Sequence, residues 1–278
     1  MTEQKETTIA AAQAALQEAI ELAGAHSVVA GHDSIKLHDI EKHLPNRLRF
    51  RGLFRTSSLT DFVANILSRN KKDVRGFIQT KDQLSCEAIF NLGNEIDAGH
   101  ADDKAVLLLE KTPEFAAAVA LLGNKLSQKT LATFLEDWRH CVTAHVSDPH
   151  DPDAGSTEIT IGKAITAIRS VTISSSTEVE SKVTDVSYTR SAMENIEAKS
   201  KENSLPSHLK IKTTAYPDMP IREIQLRISI NTGDSTPFFS MHFVGQQAFM
   251  EQVGQDFKDR LVTDLSGTGV FLLGSFQP

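Results

Sequence analysis

The chain has 278 residues, of which 40% are hydrophobic and 23% charged. These are ordinary values for a globular protein with a real core, and the length suits one large or two modest domains at roughly 150 residues each. The formal net charge of −7 argues against a protein that coats nucleic acid through bulk electrostatics, and no apolar run approaches the ~20 residues that span a bilayer.

Residues 4–23 carry Ile9, Ala12, Leu16, Ile20 and Ala23 at three- and four-residue steps, which predicts an amphipathic helix stopped by Gly24. Acids among its alanines, without a basic leader before an apolar core, set it apart from a signal or transit peptide. Residues 32–45 read as irregular. Arg47, Arg49 and Arg51 then alternate with Leu48 and Phe50, as in a half-buried strand, and Arg55 follows. Ser58 and Asp61 stand in capping-box spacing before a helix with Leu59, Phe62, Val63, Ile66 and Leu67 inward.

Strands are expected at 75–80, 85–92 and 104–110. Pro113 after Thr112 opens a helix that Gly123-Asn124 breaks, and Ser127 caps another running to about Ala144. Residues 147–155 hold two prolines, a glycine and three aspartates and read as a linker. The resulting division is an N-terminal helix at 1–30, an α+β domain at 31–146, the linker, and a C-terminal domain at 156–278. That last part is expected to open with a helix over 156–170. A Ser/Thr-rich β tract from Val171 to Tyr188 comes next, then strands at 208–216, 221–231 and 236–244. The last two form an antiparallel hairpin, with Ile224, Leu226, Ile228 and Ile230 on one face. A helix with Phe249, Val253, Phe257 and Leu261 inward follows. The fold class is therefore α+β: a mixed region of helices and short strands, then an antiparallel sheet flanked by helices.

The order of several soft motifs carries a family resemblance. They are Lys36-Leu-His-Asp-Ile-Glu41 before Pro45, Arg51-Gly52 ahead of 56–62, and Glu87-Ala-Ile-Phe90 before Gly99-His100-Ala-Asp102. Lys111-Thr-Pro-Glu-Phe115, Thr133-Phe-Leu-Glu-Asp137, the β-rich tract from Ser187 and Gly269-Val-Phe-Leu-Leu-Gly274 complete the series. With these segments the chain resembles the YfdQ-like family of phage and prophage proteins from about residue 35 onward. The resemblance implies a phage or prophage origin and a bacterial host cytoplasm, but no reaction.

Candidate chemistry is sparse. His100, Asp102 and Asp103 cluster in one loop, where a carboxylate could orient a titrating histidine for acid/base work or metal binding. The plainer reading is a polar turn whose aspartates satisfy backbone N–H groups. His145 and His150 flank Asp148, Asp151 and Asp153, a conceivable weak cation site, although a solvated linker is the favoured reading and no metal site is assigned. No phosphate-binding Gly-x-x-x-x-Gly-Lys loop, Gly-x-Gly-x-x-Gly or Gly-x-Ser-x-Gly elbow is present, so no cofactor is implied. Cys86 and Cys141 read as small buried hydrophobes.

Arg47, Arg49, Arg51 and Arg55 form the most suggestive charge feature. Such a face could follow a nucleic-acid backbone or pair with an acidic protein surface, and the acidic whole favours the protein. Val270, Phe271, Leu272, Leu273 and Phe276 make a strongly apolar terminal segment, expected to be buried as an edge strand or against a second copy. The preferred expectation is a non-enzymatic homo-oligomer acting through protein contacts, including interference with a host process or defence. The alternatives are a nucleic-acid-binding accessory of phage replication or recombination, and a metal-dependent hydrolase built on His100 and Asp102.

Overall fold

A computed structural model describes residues 28–30, 37–39, 41, 44–147, 155–171, 205–231 and 238–277. The helix expected at 4–23, the β tract at 172–188 and nearly all of the 147–155 linker lie outside the described residues. Strands β1 (Val28–Ala30) and β2 (Leu37–Asp39) pair antiparallel.

The first sheet contains β3 (Gly52–Thr56), β4 (Val74–Gln79), β5 (Ser85–Ile89), β6 (Asp103–Leu108) and the C-terminal β12 (Gly269–Leu273). Its order is β12-β4-β5-β6-β3, with β12 parallel to β4 and β3 parallel to β6. The second sheet contains β7 (Val142–Ser147), β8 (Ser156–Ile159), β9 (His208–Thr214), β10 (Ile221–Asn231) and β11 (Phe238–Phe243). It is antiparallel throughout in the order β11-β10-β9-β7-β8. The α+β class is thus observed, with one mixed and one antiparallel sheet.

Helices form where local signals are strongest. Ser58 caps α1 (Leu59–Ser68) by accepting from the Asp61 N–H, Thr112 caps α2 (Pro113–Ala120) through Phe115, and Ser127 caps α3 (Gln128–Asp137) through Thr130. Each cap satisfies an N–H that the first helical turn leaves orphaned. Thr160 does the same for α4 (Ile161–Ser170). In α5 (Gln246–Asp264), Phe249, Val253, Phe257 and Leu261 are all buried.

Several expected boundaries move. Residues 47–51 are not a strand; the ladder begins at Gly52, because Arg49 and Arg51 are committed to carboxylates rather than to a pleated face. The helix expected to reach Ala144 ends at Asp137. Cys141 and Val142 both donate backbone bonds to the Trp138 carbonyl, and the chain then turns into β7. β7 finds ladder partners on both sides, and that pairing outweighs helical continuation. Residues 156–159, expected to be helical, are instead β8, and the helix starts only after Thr160. Leu67, expected inward, is exposed.

Strands on both sides of residues 147–155 enter each sheet: β7 pairs with β9, and β12 pairs with β4. α5 makes the second connection possible by carrying the chain from the hairpin of the second sheet back to the edge of the first. One contiguous core runs through both, including Phe62, Ile66, Leu107, Phe115, Leu131, Tyr216, Phe239 and Phe257. The layers are stitched at Leu126 and Phe239, which exchange backbone bonds of 2.8 Å. Thr112 adds a second stitch, its N–H and hydroxyl donating to the Ala215 and Thr214 carbonyls. No helix among the described residues is long and apolar enough to cross a membrane.

Candidate functional site

Two of the candidate features, the arginine run and the loop that carries Asp102 and Asp103, meet in one corner. Arg49, on the irregular lead-in to β3, forms a 2.5 Å ion pair with Asp102 at the start of β6. The Asn91 side-chain amide donates to the same Asp102 oxygen at 2.8 Å, while its carbonyl accepts the Asp103 N–H at 3.0 Å. Arg51 forks onto the buried Glu41 carboxylate, and Arg47 reaches the Arg51 carbonyl. Arg69, at the end of α1, donates to both Asp103 oxygens at 2.6 and 2.8 Å, with the Lys71 ammonium 3.5 Å away. The Arg69 guanidinium lies over the Phe90 ring at 4.0 Å and the Phe50 ring at 4.9 Å.

This arrangement decides what the corner can do chemically. The Arg49 guanidinium, helped by the Asn91 amide, holds the Asp102 carboxyl well below the usual carboxylate range, and burial opposes that only in part. Asp103 is fully buried, with its oxygens taken by Arg69 and Lys71. His100 is exposed, and among the described residues it has no hydrogen bond to either carboxylate. These two aspartates serve as counter-ions that anchor α1 and the β3 lead-in to β6. Arg49 and Arg51 likewise spend their guanidinium groups inside the chain, while Arg55 is exposed on the outer face of the first sheet.

A second polar cluster lies across β7 and β9. His145 and His208 are register partners, stacked with ring centroids 5.1 Å apart, and both are buried. The Thr143 hydroxyl is 2.9 Å from His145 Nε2, and the Ser207 hydroxyl is 3.0 Å from His208 Nδ1. His145 Nδ1 is buried without a partner. Burial above all, with help from His145 and Lys210, lowers the pKa of His208. Among the described residues, no three His, Cys, Asp or Glu side chains are placed to hold a metal ion. Cys86 is buried and its thiol is pushed up, again by burial, while Cys141 is half-buried with its pKa raised for the same reason.

The apolar terminal segment forms β12, a free edge of the first sheet among the described residues. Its side chains divide between the two faces. Phe271 turns inward over Gly76, where a Cβ would sit 2.0 Å from its ring. Val270 and Leu272 stand opposite Arg75 and Phe77 on the outer face and are 45% and 52% exposed. Phe276 folds back and stacks on Phe77 with ring centroids 5.3 Å apart. Leu273 lines a cleft against α5. Farther across the outer face, Leu53 and Leu108 are also exposed, and Lys104 and Glu87 between the edges neutralise each other at 2.9 Å.

The family model of the DUF2303 uncharacterized conserved proteins matches residues 1–276. The chain belongs to that family. No solved structure matches it. In this DUF2303 chain, sequence reasoning passed over Glu41, Arg69 and Asn91, the partners that complete the ionic corner. Asn91 and Asp102 are 11 positions apart, Arg69 and Asp103 are 34, and Arg49 and Asp102 are 53. Separations of this size leave no local signal in the sequence that would pair these residues.

Proposed function

We propose that this DUF2303 chain is a phage- or prophage-encoded protein of the bacterial cytoplasm. In this reading it works as a homo-oligomer through protein contacts, with the β12 edge and outer face of the first sheet as the self-association surface. The phage origin, and with it a role against a host process, rests on the YfdQ-like order of segments. The assembly reading rests on one observation: β12 presents Val270 and Leu272 to solvent along an unpaired strand edge. An exposed apolar edge strand is a template for pairing with another chain.

A second copy suits this edge better than an unrelated partner. Residues 269–277 carry no charged side chain, so two copies can meet there without like-charge repulsion despite the net charge of −7. Antiparallel pairing of β12 with itself about a two-fold axis uses the same strand on both sides and closes the assembly. The nucleic-acid and hydrolase alternatives draw less support, because Arg49, Arg51, Asp102 and Asp103 are occupied with one another and with Glu41, Arg69 and Lys71.

The test is the solution mass of the full chain and of the Val270→Lys/Leu272→Lys variant, measured by sedimentation. This variant is preferable to deleting 269–278, because deletion also removes the inward Phe271. A defined oligomer that becomes a folded monomer in the variant is expected. A wild-type monomer at tens of micromolar, or an unchanged mass in the variant, would refute the reading.

A further inference from the structure

We infer that the cleft between α5 and the end of the first sheet binds a small organic phosphate, at a ligand site lined by Leu273 of β12 but not by the outward Val270 and Leu272. The cleft measures about 600 Å³, within the range of small-molecule sites. Its cationic lining comes from three places: Lys81 in the β4–β5 turn, Lys111 ahead of α2, and Lys258 on α5. None of the three has a carboxylate within ion-pair distance among the described residues, although Asp82 and Glu251 share the rim. By contrast, Lys71, Lys104 and Lys210 each stand against an acid. Lys81 and Lys111 are exposed and Lys258 is half-buried, so three ammonium groups can turn toward an anion in the cleft, and lysine acts on phosphate as a point charge.

The rest of the lining narrows the ligand. Phe115 and Val119 of α2 and Met250 of α5 give the cleft an apolar side. Phe115 is itself buried and packed against Phe249 and Tyr216 at centroid distances of 5.7 and 6.3 Å, so that wall is preformed. Gly254 lets α5 close on the β4–β5 turn, since a Cβ there would sit 2.9 Å from Thr80 Cβ. Asp82 and Glu251 repel a bare polyanion but accept hydrogen bonds from hydroxyl or amino groups. An anionic head among the lysines, an apolar body and donors at the rim together describe a nucleotide or sugar phosphate.

The experiment is calorimetric titration of the full chain with AMP, UMP and glucose 6-phosphate, with adenosine as the uncharged control. Saturable binding of at least one phosphate is expected, weakened about tenfold by Lys258→Gln and by Lys111→Gln, where tenfold corresponds to about 1.4 kcal/mol. Lys163→Gln, on the exposed side of α4, should leave it unchanged. Absence of binding by all three phosphates at millimolar concentration, unchanged affinity in both cleft variants, or adenosine binding as tightly as AMP would overturn the inference. Repeating the titration on Val270→Lys/Leu272→Lys separates the two readings, because the lysines remain whether or not the chain assembles.

Discussion

Replacing Arg69 by methionine isolates the ion pair that holds the polar corner together. Asp103 is completely buried, and the Arg69 side chain is only 17% exposed. Without the guanidinium, the carboxylate keeps Lys71, 3.5 Å away on a side chain that is 43% exposed. Removing one partner of a buried pair costs roughly 3–5 kcal/mol, because a charge is left in the interior without compensation. Lys71 recovers part of this, and methionine keeps apolar contact with Phe90 and Phe50, so a loss of about 3 kcal/mol is expected. Replacing both partners by apolar groups removes the stranded charge, so Arg69→Met/Asp103→Leu should be more stable than Arg69→Met alone. Urea unfolding followed by the single tryptophan, Trp138, at fixed protein concentration measures Arg69→Met, Asp103→Leu and the double variant. A cost below about 1 kcal/mol for Arg69→Met, or a double variant whose loss equals the sum of the two single losses, would refute the buried-pair argument.

Gly76→Ala should displace Phe271 and loosen β12, since the new Cβ would fall 2.0 Å from the ring. The expected loss is about 1–3 kcal/mol, Phe271→Ala should relieve much of it, and amide exchange across 269–273 reads it directly. An unchanged exchange pattern would count against the placement of β12. The His145–His208 pair makes the second sheet sensitive to mild acid. Folding lowers the His208 pKa, through burial, His145 and Lys210, with Glu223 opposing. Arg227 on β10 is its other register partner, and Glu158 on β8 lies beyond His145. The unfolded chain therefore takes the proton first, and stability falls as pH drops below about 6.5, by at most about 1.4 kcal/mol per pH unit until the folded value is reached. His208→Gln should flatten the dependence of the urea midpoint on pH in that window, and an identical slope in both proteins would contradict the account.

Local chemistry determined much of this fold. The caps at Ser58, Thr112 and Ser127, the buried face of α5 and the β10–β11 hairpin were all readable, because each signal lies within a few residues of its effect. The first half of β7 and all of β8 were misread as helix, because their backbone groups are satisfied by strands remote in sequence and nothing in residues 142–144 or 156–159 announces those partners. The terminal segment was legible as apolar, yet its parallel seat beside β4 depends on a gap at Gly76 that only packing reveals. The charged residues followed the same division. Arg49, Asp102 and Asp103 stood out as residue types, but whether they were reagents or counter-ions depended on Arg69 and Asn91 arriving from other elements. Capping and periodicity act within a turn or two of chain. Ion pairing, strand order and clefts are set by tertiary packing, which brings together residues the sequence keeps far apart.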